Sequence, residues 1–509
     1  MMKRILACLL MLCLLLTGAA AEDFNALGAY HSNFSGSTDG WYPRSTGGAQ
    51  LSVTPAGLYI TGRTSDWNSP GRDFHLEPGK EYVLSVNVKQ TEKDAADFLI
   101  SVAHSKDGVE SYENIAKATA KKGEWTTLTG SYTPGVYDNY ILYVETLGAG
   151  TTDFFISDFS VKLNEVNFDV QLPSLHALYS PWFDFGCALG LGEAVNQERM
   201  DFYAYQFGIM TPGNELKPDS VVDTSASRKL AKKDETAVAV KFDAATPLLD
   251  YCKAHGIKVH GHVLVWHNQT PEAFFREGFS VAGDYVTREV LLARLDNYIR
   301  QIMEYMEANY PGVIVSWDVV NEVVDDGTGK LRESNWTKIV GEDFVNRAFE
   351  IARKYAPEGT LLYYNDYSTP YEPKLTGICD LLDSLIAEGN IDGYGFQCHY
   401  QTTSPTISQL RQAMQKIAAK GLRLRVSELD ITIKANTDVE KQIQAARYMD
   451  LMEVFMEFRD QIEAVHTWGV TDDLSWLAGQ FPLLFDGQVN PKPAFWSVVE
   501  VAQAAAAQE

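Results

Sequence analysis

Hydrophobic positions recur with two different periods along this chain. Between residue 22 and about residue 165 they alternate. In Tyr82-Val-Leu-Ser-Val-Asn-Val88, Tyr82, Leu84, Val86 and Val88 share one side while Ser85 and Asn87 share the other. Such runs are separated by turn signals, as at Pro55-Ala56-Gly57, Glu77-Pro78-Gly79-Lys80 and Pro134-Gly135. Period two broken by turns predicts an all-β antiparallel sandwich, jelly-roll-like. After Leu163 apolar strands alternate instead with amphipathic helical stretches such as 290–309 and 408–420. Candidate strands fall at 183–190, 207–211, 258–266, 313–320, 360–364, 393–399, 422–428 and 464–470. Eight strands with intervening helices predict a (β/α)8 TIM barrel of the α/β class. A doubly wound sheet would carry a Gly-rich phosphate turn after an early strand, and the sequence has none.

The chain is therefore multidomain: a sandwich over 22–166 and a barrel over 167–505, with no Pro/Thr- or Ser-rich linker between them. Residues 1–21 read differently. Met1-Met2-Lys3-Arg4 is basic, an apolar run follows from Ile5 to Leu16, and Ala19-Ala20-Ala21 supplies small residues. That order predicts a cleaved secretory signal peptide, the run being too short to span a bilayer. The expected product is secreted, extracellular or periplasmic according to the cell envelope. The remaining cysteines, Cys187, Cys252, Cys379 and Cys398, lack CxxC spacing and are expected as buried free thiols.

Charge narrows the partners. With 43 basic and 67 acidic residues the net charge is −24. Such a surface repels nucleic acid and anionic lipid, so a neutral ligand is expected, with neither nucleic acid nor membrane as partner. A monomer is expected.

Barrel enzymes assemble their sites from the C-terminal ends of the strands. Those positions read Thr211-Pro-Gly-Asn-Glu-Leu-Lys217, His260-Gly-His-Val-Leu-Val-Trp-His-Asn-Gln-Thr-Pro271, Trp317-Asp-Val-Val-Asn-Glu322, Tyr363-Tyr-Asn-Asp-Tyr367, Gln397-Cys-His399, Ser427-Glu-Leu-Asp430 and Thr467 to Trp476. Carboxylates, amides, imidazoles and indoles converge as a polar, ring-shaped neutral substrate requires. Glu322 and Glu428 end opposed strands, and glycoside hydrolysis uses two carboxyl groups flanking the scissile bond. By strand parity His262 and Trp266 share a face, as do Gln397 and His399. The histidines at 255, 260, 262 and 267 lack an HExxH helix, so no metal site is expected.

These motifs, with Pro482-Leu-Leu-Phe-Asp486 and Pro491-Lys-Pro-Ala494, resemble family 10 glycoside hydrolases, the endo-β-1,4-xylanases, over nearly all of 175–500. The resemblance implies a retaining double displacement on xylan without a cofactor. Glu322 is implied as acid/base and Glu428 as nucleophile. Asn321 would bind the sugar 2-hydroxyl. His399 would hold Glu428 ionised, and Gln397 would support the same region. Asn214, Lys217, His262, Trp266 and Gln269 would line the glycone side. Trp468 and Trp476 would wall in the sugar, with Tyr367 near the leaving group. Three positions depart from the pattern: Gly213 where many relatives carry Glu, His260 for Arg and Ser427 for Thr. They bear on subsite strength, and at Gly213 on one hydrogen bond to a distal glycone sugar.

In the front unit, Leu142 and Val144 suit a core while Tyr143 and Glu145 share the open face. Gly40-Trp-Tyr-Pro-Arg44, Gly62-Arg-Thr-Ser-Asp-Trp67, Tyr112-Glu-Asn-Ile-Ala116 and the Tyr143/Glu145 strand resemble family 22 carbohydrate-binding modules, which bind xylan. The implied ligand residues are Arg44, Trp67, Tyr112, Tyr143 and Glu145. Trp41 and Trp125 are expected in the core, and Asp158 as a ligand of a structural calcium. Two other readings stay open: a β-1,4-glucanase on the same barrel, and a glycan-binding protein with an inactive barrel.

Overall fold

The computed structural model describes residues 29–44, 48–106, 108–164 and 171–508, so the expected signal peptide lies outside the described residues. The chain divides into two compact units between residues 166 and 167.

The first unit is a sandwich of two antiparallel sheets. One has the order Gln50–Thr54, Gly57–Thr61, Phe154–Leu163, Tyr82–Gln90, Thr126–Tyr132, with Ala29–Ser32 also on Phe154–Leu163. The other runs Tyr42–Pro43, Pro70–Phe74, Asn139–Leu147, Ala95–Lys106, Val109–Lys121. Alternate residues of Tyr82–Gln90 are buried, as period two requires. Leu84, Val86, Val88, Ile100, Val102, Leu142 and Val144 fill the space between the sheets, and Trp41 joins them. Trp125 does not: it is 41% exposed, with Lys89 Nζ 5.8 Å from its ring. It stands one residue before the Thr126–Tyr132 strand, whose Leu128 points inward.

The second unit is a parallel barrel of eight strands: β1 Asp184–Leu189, β2 Ile209–Pro212, β3 Lys258–Gly261, β4 Ile314–Asn321, β5 Leu361–Asp366, β6 Gly393–Phe396, β7 Arg423–Thr432 and β8 Ile462–Thr467. Pairing of β8 with β1 and of β3 with β4 closes it. Buried rings pack against glycines of the neighbouring strands. A Cβ at Gly261 would stand 2.2 Å from the Trp317 ring, and one at Gly393 2.2 Å from that of Tyr363. Helices cover the outside. Thr287 caps Arg288–Asn309, whose Leu291, Leu295, Tyr298, Ile302 and Met306 form one buried stripe.

Two expected strands are shorter than their apolar runs. The third stops at Gly261 and resumes only as Val265–Trp266. The sixth stops at Phe396, and His399–Gln401 then pairs separately with β7. Strand parity therefore does not relate His262 to Trp266, or Gln397 to His399, although all four line one cleft. Cys187, Cys252 and Cys398 are buried free thiols, whereas Cys379 is only half-buried. Among the described residues no helix is long and apolar enough to cross a membrane.

Candidate active site

The strand ends open on a cleft of about 870 Å³ lined by Asn214, Lys217, His262, Trp266, Gln269, Asn321, Glu322, Tyr367, Gln397, His399, Glu428, Trp468 and Trp476. All thirteen barrel residues named from the sequence thus meet in one place. A larger hollow of about 1110 Å³ adjoins at His267, but neither glutamate lines it.

Glu322 follows β4 with a φ of 57°, a left-handed conformation uncommon for a side-chain-bearing residue. Cys398 and Gln269 also have positive φ. Such backbone costs about 1–3 kcal/mol per residue and gathers at sites where the fold holds a side chain in a chosen direction. Glu322 is anchored by its own N–H to the Asn365 carbonyl at 2.9 Å. Its carboxyl oxygens accept from Trp266 Nε1 at 3.0 Å and Gln397 Nε2 at 2.8 Å. Gln397 therefore bonds Glu322 directly and reaches the Glu428 region, where it was expected to act, through Asn321 and Asn365.

Glu428 is buried at the cleft floor. Asn365 Nδ2 donates to its Oε1 at 2.7 Å, and His399 Nε2 lies 3.1 Å from its Oε2. Burial opposes its ionisation, yet the His399 hydrogen bond, the electrostatic influence of the His262 and His399 rings and the Asn365 amide prevail, holding it below the usual carboxylate range. His399 Nδ1 reaches Asp430 Oδ2 at 2.8 Å. Burial disfavours charge on the ring, but Asp430 and Glu428 outweigh it and push its pKa up to about 10. A cation thus sits between two carboxylates.

Asn321 joins the glutamates. Its Oδ1 accepts from Asn365 at 3.0 Å and Gln397 at 3.2 Å, one partner from each glutamate's support. With that oxygen occupied, the amide nitrogen is the end left to meet a ligand. Along the other side Lys217 Nζ donates to Asn214 Oδ1 at 2.9 Å and Gln269 Oε1 at 3.0 Å. His262 stands edge-on to Trp468 at 5.3 Å, and Trp476 Nε1 donates to Asp430 Oδ2 at 2.9 Å. Tyr367 accepts from Arg332 at 2.9 Å, and Arg332 Nε donates to the Glu322 carbonyl at 3.1 Å. Tyr367 is thereby tied through Arg332 to the Glu322 backbone, and both residues line the cleft.

Asn365, Asp430, Asp318 and Arg332 were not singled out from the sequence. Asn365 and Asp430 end strands like the residues that were, so that rule covers them. Arg332 lies in a loop and carries no such signal. Asp318 Oδ2 lies 2.9 Å from His262 Nδ1 and 3.1 Å from His260 Nε2, so one carboxylate faces both rings. Ser427 Oγ donates to Asn365 Oδ1 at 2.6 Å, a bond that needs only a hydroxyl at this position.

In the sandwich, Arg44 lies 3.6 Å over the Tyr143 ring and 5.6 Å from that of Tyr112. Ser101 Oγ donates to Glu145 at 2.8 Å, two residues along the same face. Trp67 is 61% exposed on a loop pinned by Asp66, which accepts from Thr146 Oγ1 and the Gly148 and Ala149 amides. The calcium expectation is not supported. Asp158 contacts Asn87 Nδ2, Ser157 Oγ and His31, and among the described residues no three His, Cys, Asp or Glu side chains are grouped to hold a metal ion.

Residues 174–501 match Glycosyl hydrolase family 10, and residues 28–150 match a Carbohydrate binding domain. Endo-1,4-beta-xylanase A of Thermoanaerobacterium saccharolyticum is 33% identical over 92% of this chain and 41% of its own length. Endo-1,4-beta-xylanase B of Butyrivibrio fibrisolvens is 36% identical over 65% of this chain and 53% of its own. The chain thus spans about half or less of these relatives. The solved CBM22-1–GH10 modules of Clostridium thermocellum endo-1,4-beta-D-xylanase 10B, complexed with xylohexaose, are 30% identical with a TM-score of 0.62, covering 93% of this chain and 96% of that one. With a family match across the whole barrel and its strand-end carboxyls gathered in one cleft, the chain belongs to glycosyl hydrolase family 10.

Proposed function

We propose that the protein hydrolyses internal β-1,4 linkages of xylan with retention of configuration. The observation that carries this reading is the single hydrogen-bonded net from Glu322 through Gln397, Asn321 and Asn365 to Glu428. In the first step Glu428 attacks the anomeric carbon while Glu322 protonates the departing oxygen; in the second, water deprotonated by Glu322 releases the sugar. His399 keeps the nucleophile ionised, and the Asn321 amide nitrogen meets the 2-hydroxyl. The two carboxyls supply all of this chemistry, so it calls on no cofactor. Relatives named endo-1,4-beta-xylanases and a similar structure holding xylohexaose favour xylan over glucan.

The front unit acts in this reading as a family 22 module. Tyr112 and Trp67 stack on xylose rings while Arg44 and Glu145 bond hydroxyls. The protein works outside the cytoplasm as a monomer, a reading supported by its basic-then-apolar start and strongly acidic surface.

The test is a chromatographic time course of products from xylan, beside Glu428→Gln. Mixed xylo-oligosaccharides at early times, absent from the variant, are expected. Products that the variant also makes would refute the reading. Faster hydrolysis of carboxymethyl cellulose than of xylan would favour the glucanase.

A further inference from the structure

Glu322 stands one residue beyond the end of β4, with a left-handed backbone. The Asn365 carbonyl holds its N–H, which leaves its carbonyl end to be held separately. The chain that follows builds that second hold. Val324 pairs antiparallel with Leu331, Asp325 N–H donates to Lys330 O at 2.9 Å, and Arg332 N–H donates to Val323 O at 2.7 Å. Asp325 Oδ1 closes the turn by accepting from the Gly327 and Thr328 amides. This short hairpin brings Arg332 back beside Glu322.

Arg332 then spans two groups of the site. Its Nε donates to the Glu322 carbonyl at 3.1 Å, and its Nη2 donates to the Tyr367 hydroxyl at 2.9 Å. The same hydroxyl donates to Asp326 Oδ2, at the hairpin tip, at 2.7 Å. Lys374 Nζ lies 2.8 Å from both Asp326 and Asp366, and 3.4 Å from the centre of the Tyr367 ring. Tyr367 is thus fixed at its hydroxyl and over its ring, and the guanidinium ties the Glu322 carbonyl to that fixed wall. A planar guanidinium aims donors at two acceptors at once, whereas an ammonium is a point charge on a flexible stem. Bonds from a charged donor are also the stronger kind, as an uncommon backbone conformation requires.

We propose that Arg332 is a positioning residue for the acid/base step: it locks the Glu322 peptide against Tyr367, so that the Glu322 carboxyl meets the departing oxygen. The proposal rests on the acid/base reading of Glu322 given above. Arg332 itself moves no proton. Its loss should therefore hurt each substrate in proportion to how much its leaving group needs protonation.

The test is kcat/KM of the full chain on aryl xylobiosides whose phenols differ in acidity at similar size, for wild type, Arg332→Met, Arg332→Lys and Glu322→Ala. This parameter follows the first step, in which only a poor leaving group needs the proton. A misplaced catalytic group can cost about 10²-fold. Arg332→Met is expected to lose about tenfold or more on the least acidic phenol and under about twofold on the most acidic, with Arg332→Lys between. If Arg332→Met does not fold, as thermal denaturation would show, Arg332→Lys carries the same comparison. A loss uniform along the series, as weakened binding or a loosened hairpin would give, or no loss at all, would overturn the positioning role. Glu322→Ala separates the two readings. A loss that steepens with the phenol there, beside a uniform one in the Arg332 variants, would leave the acid/base role standing without Arg332. A uniform loss in Glu322→Ala would remove that role and this proposal with it.

Discussion

Replacing His399 by glutamine isolates the electrostatic support of the nucleophile. The ring lies 3.1 Å from Glu428 Oε2 and 2.8 Å from Asp430 Oδ2, and those carboxylates keep it charged across the neutral range. Glutamine keeps a donor but loses the charge. Hydrogen bonds to charged partners contribute about 1.5–3 kcal/mol and neutral ones about 0.5–1.5 kcal/mol. The ionised form of Glu428 should therefore lose about 1–1.5 kcal/mol, close to one pKa unit. Because Glu428 is held low in the native protein, its charged form is lost as pH falls, and the variant should lose it at higher pH. The assay is the pH dependence of kcat/KM on an aryl xyloside whose leaving group needs no proton, so that the acid limb reports the nucleophile. That limb is expected to move up by about one unit. A folded variant whose acid limb stays in place would refute the reasoning. Stability carries the opposite sign: a raised histidine stabilises fully below its unfolded value of about 6.5 and loses that contribution toward its folded value. Wild-type Tm should therefore fall as pH rises toward about 10, and the variant's curve should be flatter over that window.

Glu322→Ala should lower xylan hydrolysis about 10²–10⁴-fold while sparing the same aryl xyloside; equal losses on both substrates would remove Glu322 from the acid/base role. Asn365→Ala strips a partner from Glu428, Asn321 and Ser427; Asn321 keeps Gln397, but Glu428 Oε1 and Ser427 Oγ are left unsatisfied at about 1–3 kcal/mol each, so thermal denaturation should show a lower Tm and steady-state kinetics a kcat loss exceeding any rise in KM. Trp67→Ala with Tyr112→Ala should weaken xylohexaose binding to the full chain, read by calorimetry on a Glu428→Gln background, whereas hydrolysis of a short aryl xyloside should be unaffected.

Both folds were legible from the sequence because each rests on local periodicity. Alternation in 82–90 fixes which side of a strand is buried, and helical stripes between apolar runs leave a barrel as the economical closure. The two glutamates were legible because strand ends in a barrel are forced to the same face. Tertiary structure decided what those residues touch. Gln397 bonds Glu322 directly and reaches Glu428 only through Asn321 and Asn365, because the sixth strand ends at Phe396 and the chain turns at Cys398 with a φ of 62°. Arg332 enters from a loop. Asn365 and Asp430 matter through partners 63 and 31 residues away. Hydrogen bonds and charge act through space over a few ångströms, so no period along the chain encodes them. Trp125 marks a related case, where an aromatic residue suggested a core but its place just before the Thr126–Tyr132 strand leaves it at the surface.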